Sequence, residues 1–275
     1  MSELSLLDTI LEPGGLSVVF QPVFEVRPEG RRLHALECLI RGPRGTNLES
    51  PGVLFEYVRR KQAEDLVDRA CVSTVLEAAS QLPGDAHLFV NVLASTVDRE
   101  FVTLFVETAE AHQISLGRLT VEIVEHAPCR DERSFHCALD RLRVMGVWIA
   151  LDDVGQGHSN YRRILDCCPN YVKIDRYFVQ GVHADFRRRA ILESASHLAR
   201  TFEARVVAEG VEDVADLHTI AVLGIDLVQG HLLSPALSIE QLLDRGLLPG
   251  FPRRQTNPFP DCAVFAVGQG MRLGH

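Results

Sequence analysis

Short apolar, β-branched runs recur along the chain. Each ends in a polar residue and a turn, and most are followed by a segment of helical period. The runs are LSVVFQPVF, LHALECLIRG, HLFVNVL, LTVEIVE, VWIALDDVG, YVKID, RVVAEGVE and IDLVQGHLL. Between them, Val67, Cys71, Val75 and Ala78 fall on one helical face, as do Phe135, Leu139, Leu142 and Met145, with Gly146 placed to end that helix. Ile191, Ala195, Leu198 and Phe202 predict a third apolar face. Val214, Leu217 and Ala221 predict a fourth, stopped by Gly224. Strands alternating with helices argue for βαβ units and a parallel sheet. The first two runs differ, because only RPEGRR separates LSVVFQPVFEV from LHALECLIRG. A parallel crossover needs about a dozen residues or more, so these two strands are expected to be antiparallel.

A doubly wound open sheet fits the strand count too, but the chain has no Gly-rich phosphate loop of either common type. A TIM-type (β/α)8 barrel, modified by an antiparallel strand near its N-terminus, is the preferred fold. The barrel domain is expected over residues 1–245. Residues 246–275, rich in Pro and Gly and without clear period, read as an irregular extension.

The 275 residues are 46% hydrophobic and 24% charged, a mixture that supports one barrel-sized core. The net charge of −9 argues against long DNA or RNA as a partner. Seven cysteines without CxxC or zinc-type spacing read as free thiols. The start has no signal-peptide pattern, and no apolar run nears the roughly 20 residues of a membrane span. A cytoplasmic protein without membrane attachment is expected.

Glu37, Glu122, Asp152, Asp153 and Glu209 lie in or just after strand-like runs, as do Asn91 and Lys173. Singly, each has an ordinary reading: a rim carboxylate in water, a turn for Asp-Asp-x-Gly, a snorkelling lysine. Together, in a barrel whose strand ends converge on one mouth, they form a site. Carboxylates crowded there repel, by about 1–4 kcal/mol per pair at 4 Å. Divalent cations would neutralise them, and an all-oxygen set favours hard ions such as Mg²⁺ or Mn²⁺. Two such ions suit phosphodiester hydrolysis.

These motifs resemble the EAL domain, a bacterial family of cyclic di-GMP phosphodiesterases and related binding proteins, in order over about residues 15–240. Phe20-Gln21-Pro22-Val23 is similar to its opening strand, and Glu37-Cys38-Leu39 followed by Arg41 to its signature. Asn91, Glu122 with Glu125, Asp152-Asp153-Val154-Gly155, Lys173-Ile174-Asp175, Ala208 to Glu212 and Gln229-Gly230 complete the series. The resemblance implies hydrolysis of cyclic di-GMP to linear pGpG. It implies one metal on Glu37, Asn91, Glu122 and Asp152, and a second shared by Asp152, Asp153 and Glu209. Lys173 would stand beside the attacking water and phosphate. Gln21, Arg41 and Gln229 would contact the substrate or order its surroundings. Glu125 would anchor the loop after the Asp pair, and Glu212 would support the site. A homodimer is implied as well.

Cys38, Val154, His158 and Asn160 depart from the usual family pattern. Cys38 reads as a packing substitution. The changes at 154, 158 and 160 point to slow turnover, or to activity that needs a regulatory protein partner to order the loop. The alternative reading is an inactive module that senses cyclic di-GMP or binds a protein. Retention of every matched ligand and of Lys173 favours the enzyme. A barrel phosphodiesterase for another nucleotide is a third reading.

Overall fold

A computed structural model describes residues 5–27, 30–124, 131–154, 160–225 and 227–248. The chain opens with α1 (Leu6–Leu11), then β1 (Ser17–Arg27) and β2 (Gly30–Arg41). Two helices, α2 (Pro51–Arg60) and α3 (Glu64–Ala79), lead to β3 (His87–Leu93). Strands and helices then alternate: α4 (Arg99–Ala111), β4 (Leu119–Val124), α5 (Glu132–Val144), β5 (Trp148–Val154), α6 (Asn160–Cys167) and β6 (Tyr171–Ile174). The last part runs α7 (Arg176–Val179), α8 (Phe186–Thr201), β7 (Arg205–Ala208), α9 (Val214–Val222), β8 (Leu227–Val228) and α10 (Ile239–Asp244). All eight strands coincide with the apolar runs of the sequence.

The strands close into a barrel in chain order. β1 is antiparallel to β2 on one side and to β8 on the other, while every other neighbouring pair is parallel. The short link between β1 and β2 forces this reversal. It also turns the beginning of β1 toward the end of β2, so that Gln21 pairs with Glu37. The fold is a TIM-type barrel with one reversed strand, as the pattern predicts.

Acidic caps start several of the helices. Asp98, Asp131, Asp185 and Asp213 accept backbone N–H groups at the starts of α4, α5, α8 and α9, satisfying donors that the first turn leaves open. Gly146 and Gly224 have φ of +86° and +74°, as expected of glycines that end helices. The predicted faces of α3 and α5 are buried through Val67, Cys71 and Val75, and through Phe135, Leu139 and Leu142.

The face of α8 is borne out in part. Ala195, Leu198 and Phe202 pack partly buried against the core clusters, but Ile191 is 44% exposed, and the fully buried residues are Leu192, Ser196 and Ala199. The helix docks along i, i+4, i+7 counted from Leu192, and the polar Ser196 in that row hides it from the pattern. Met145 and Val214, at helix ends, are also exposed. Beyond α10, Leu248 is buried against the larger core cluster, and residues 249–275 lie outside the described residues. Cys38 is buried in that cluster too, as expected of a packing residue.

One apolar cluster contains strand residues alone: Val23, Ala35, Phe89, Ala150, Tyr171, Val207 and Leu227. Having no helix residue, it fills the barrel interior. Side chains alternate along a strand, so residues two positions away share the interior face. Glu37, Asn91, Asp152, Lys173, Glu209 and Gln229 each follow a member of this layer by two. The interior thus changes from apolar to ionisable in one step toward the strand ends.

Candidate active site

Lys173 stands at the centre of the polar layer, 1% exposed. Its Nζ lies 2.5 Å from Glu122, 2.6 Å from Glu209, 3.2 Å from Glu37 and 3.7 Å from Asp152. The five side chains come from β2, β4, β5, β6 and the residue after β7. Glu122, Asp152 and Glu209 each present an oxygen within 4.8 Å of the others, a grouping able to hold a metal ion.

Glu37 is held from two further sides. Asn91 Nδ2 donates to its Oε1 at 3.2 Å and Gln229 Nε2 to its Oε2 at 2.5 Å. Gln229 also donates to Gln21 Oε1 at 3.1 Å, and Gln21 Nε2 donates to the Ser234 carbonyl at 3.3 Å. One chain of hydrogen bonds therefore ties β1 and the segment after β8 to the carboxylate on β2.

Local backbone features aim these groups. Leu151 pairs with Val172 but Val154 pairs with Ile174, so β5 carries one extra residue where Asp152 and Asp153 lie. Such bulges redirect side chains beside active sites. Beyond β7 the ladder continues, with the Glu209 N–H on Ile174 and the Gln229 N–H on Ala208. Gly230, which follows Gln229, packs against the next loop so closely that a Cβ there would come within 2.2 Å of the Val211 carbonyl oxygen. The family motif Gln-Gly does not by itself reveal this contact; a glycine directly after a polar strand-end residue is the sequence signal for it.

Among the described residues the charges do not balance within the cluster, since four carboxylates surround one ammonium. Burial opposes ionisation of Glu122, and the repulsion of Glu37, Asp152 and Glu209 adds to it. Together they outweigh Lys173 and raise its pKa well above the usual range. Burial likewise pushes Glu209 up to about 8, with Asp152 and Glu37 adding to it. Burial opposes ionisation of Glu37 as well, but Lys173, Gln229 and Asn91 hold its carboxyl below the usual value. Lys173 is raised despite burial, because all four acids favour its charge. Among the described residues, Glu122 Oε2, Asp152 Oδ1 and Gln229 Oε1 are buried with no hydrogen-bond partner. Unsatisfied buried oxygens are costly. Here they are hard donors beside surplus negative charge, which fits a hard divalent cation.

Of the other expected site residues, Arg41 ends β2 half-buried, and its guanidinium donates to the Ile40 carbonyl at 2.8 Å. Among the described residues it pairs with no carboxylate of the cluster. Glu212 is exposed, 3.8 Å from the His231 ring. Val154, the last residue of β5, packs partly buried against the two large core clusters. The side chains of Asp153 and Asn160, and all of Glu125 and His158, lie outside the described residues.

A family model described as "EAL domain" matches residues 4–236. A Pseudomonas aeruginosa protein named cyclic di-GMP phosphodiesterase is 28% identical over 87% of this chain and 41% of its own length. The Escherichia coli cyclic di-GMP phosphodiesterase PdeF is 26% identical over 82% of this chain and 30% of its own. The chain therefore spans less than half the length of either relative. Among solved structures, the calcium and cyclic di-GMP complex of Klebsiella pneumoniae BlrP1 superposes with a TM-score of 0.73 at 26% identity, covering 81% of this chain and 56% of that one. The cyclic di-GMP complex of a standalone EAL protein from Vibrio cholerae superposes with a TM-score of 0.71 at 24% identity, covering 82% and 93%, a likeness of fold.

Proposed function

The chain belongs to the EAL-domain family, and from that premise we propose that it is a metal-dependent phosphodiesterase opening cyclic di-GMP to linear pGpG. The observation that carries this reading is the convergence of Glu37, Glu122, Asp152 and Glu209 on Lys173, beside three buried oxygens without hydrogen-bond partners among the described residues. Relatives named for this activity, and a structural neighbour holding the dinucleotide with calcium, support it.

In this reading Glu37, Asn91, Glu122 and Asp152 would hold one ion of the Mg²⁺ or Mn²⁺ class, and Asp152, Asp153 and Glu209 would hold a second. Such ions supply Lewis acidity and an acidified water. Water adds across one P–O3′ bond, leaving a 3′-hydroxyl and a 5′-phosphate, the ends of pGpG. Lys173 supplies fixed positive charge where the phosphoryl oxygens gain negative charge, and burial keeps that charge unscreened. Asn91 and Gln229 hold the Glu37 carboxylate in one orientation, and Gln21 steadies Gln229. Arg41 suits a phosphate through its planar fork. Glu125 and Glu212 act as supports, and a homodimer and a regulatory partner belong to the same reading.

Incubating the purified chain with cyclic di-GMP and Mg²⁺ or Mn²⁺, with a chelator control, tests the proposal. Metal-dependent pGpG is expected on chromatography. Intact substrate under every condition would overturn the enzymatic reading.

A further inference from the structure

The segment joining β3 to α4 is buried, with Ala94, Thr96 and Val97 at 1%, 0% and 2% exposure. A buried connection must find partners for its backbone groups. Here α3 supplies them. Asp65, Asp68 and Arg69 lie at i, i+3 and i+4 and so share one face of that helix. Asp68 accepts the Leu93 N–H at 3.0 Å. The Thr96 hydroxyl is 3.5 Å from Asp65. Arg69 grips both oxygens of Asp98, at 2.9 and 3.1 Å, while Asp98 itself caps α4 through the Phe101 N–H. Thus α3 fastens the connection at its start, middle and end.

Leu93 is two residues beyond Asn91, on the same strand. Asn91 reaches Glu37 by one hydrogen bond of 3.2 Å, so its reach depends on where the end of β3 lies. A carboxylate at 4% exposure is costly to bury, and packing alone does not explain it. The geometry points to Asp68 as a positioning residue: through the Leu93 amide it fixes the end of β3, and so holds Asn91 against Glu37 in the metal-binding arrangement. This rests on the phosphodiesterase reading for its purpose and for the kinetic half of its test, but not for the Mn²⁺ titration.

The test is calorimetric titration of the full chain with Mn²⁺ alone, alongside kcat and KM for pGpG formation. Asp68→Ala is expected to weaken Mn²⁺ binding by about 10- to 100-fold, the usual effect of losing a group that orients a ligand. It should lower kcat more than it changes KM. Asp68→Asn keeps an acceptor for the Leu93 amide and should bind Mn²⁺ like the wild type. Wild-type Mn²⁺ affinity in a folded Asp68→Ala chain, even one with a lower melting temperature, would overturn the proposal. If Asp68→Ala does not fold, Asp68→Leu, close to the carboxylate in size but without an acceptor, takes its place: weakened Mn²⁺ binding supports the proposal, and wild-type affinity overturns it. A wild-type chain that binds Mn²⁺ but forms no pGpG counts against the phosphodiesterase reading and leaves the Asp68 comparison intact. One that binds no Mn²⁺ overturns both.

Discussion

The Lys173 ammonium lies 2.5 Å from Glu122 Oε1, and the two side chains are 1% and 0% exposed. Both groups are inside the barrel, and each makes the other's burial tolerable. Removing one member of such a pair strands the other, at a cost of about 3–5 kcal/mol. Lys173→Met is therefore expected to lower the melting temperature markedly and to abolish pGpG formation. Added Mn²⁺ should recover part of the lost stability by neutralising the same carboxylates. Thermal melts with and without MnCl₂ check this, and an unchanged wild-type melting temperature in the variant would contradict it.

Glu37 accepts from Asn91, Gln229 and Lys173 at once. Glu37→Ala removes the acceptor common to all three. Metal-dependent pGpG formation should fall by more than about 100-fold, the upper range for losing groups around a metal. The circular dichroism spectrum should remain that of the wild type. A variant turning over at the full rate would remove Glu37 from the chemistry.

Gly230 has φ of +158°, and a Cβ there would meet the backbone of Val211. The obstacle is backbone, so no flexible side chain can yield. Gly230→Ala should destabilise the chain by about 1–3 kcal/mol, as overpacking does. It should also slow pGpG formation by displacing Gln229. Gly52, in α2, has open space where a Cβ would go, with nothing within 4 Å, so Gly52→Ala is the matched control and should be neutral or stabilising. Urea unfolding of both variants checks the contrast; equal stability of the two would refute it.

Burial pushes Asp68 up to about 7 from its ordinary 3.8, against hydrogen bonds from Thr96 and the Leu93 N–H. The folded chain thus holds this proton more tightly than the unfolded chain. The contribution to stability is full below the unfolded value and is lost as pH rises through about 7. Asp68→Asn removes that dependence. Its stability relative to wild type should rise between about pH 4 and pH 7 and then level off. Urea unfolding at pH 5 and pH 8 measures this, and a difference that does not change with pH would rule it out.

All eight strands are legible because each is a compact apolar run bounded by turns. The reversal of β1 is legible because a six-residue link cannot support a crossover. The site residues show themselves by contrast, as ionisable groups breaking apolar runs at corresponding ends. The short α1 is not legible, since six residues carry too little period to read. The face of α8 is legible only in part, because a serine lies in its most buried row and Ile191 falls outside it.

The sequence by itself determined which residue types reach the barrel mouth, because the two-residue alternation of a strand is a local property. Tertiary structure alone decided that Lys173 sits between four carboxylates, that Gln229 and Asn91 hold Glu37, and that α3 grips the end of β3. Lys173 and Glu122 are 51 residues apart in sequence, and Gln229 and Glu37 are 192. No local pattern carries such pairings. They arise only when closure of the barrel brings those strands within hydrogen-bonding distance, and burial then makes each unmatched charge costly enough to govern the site.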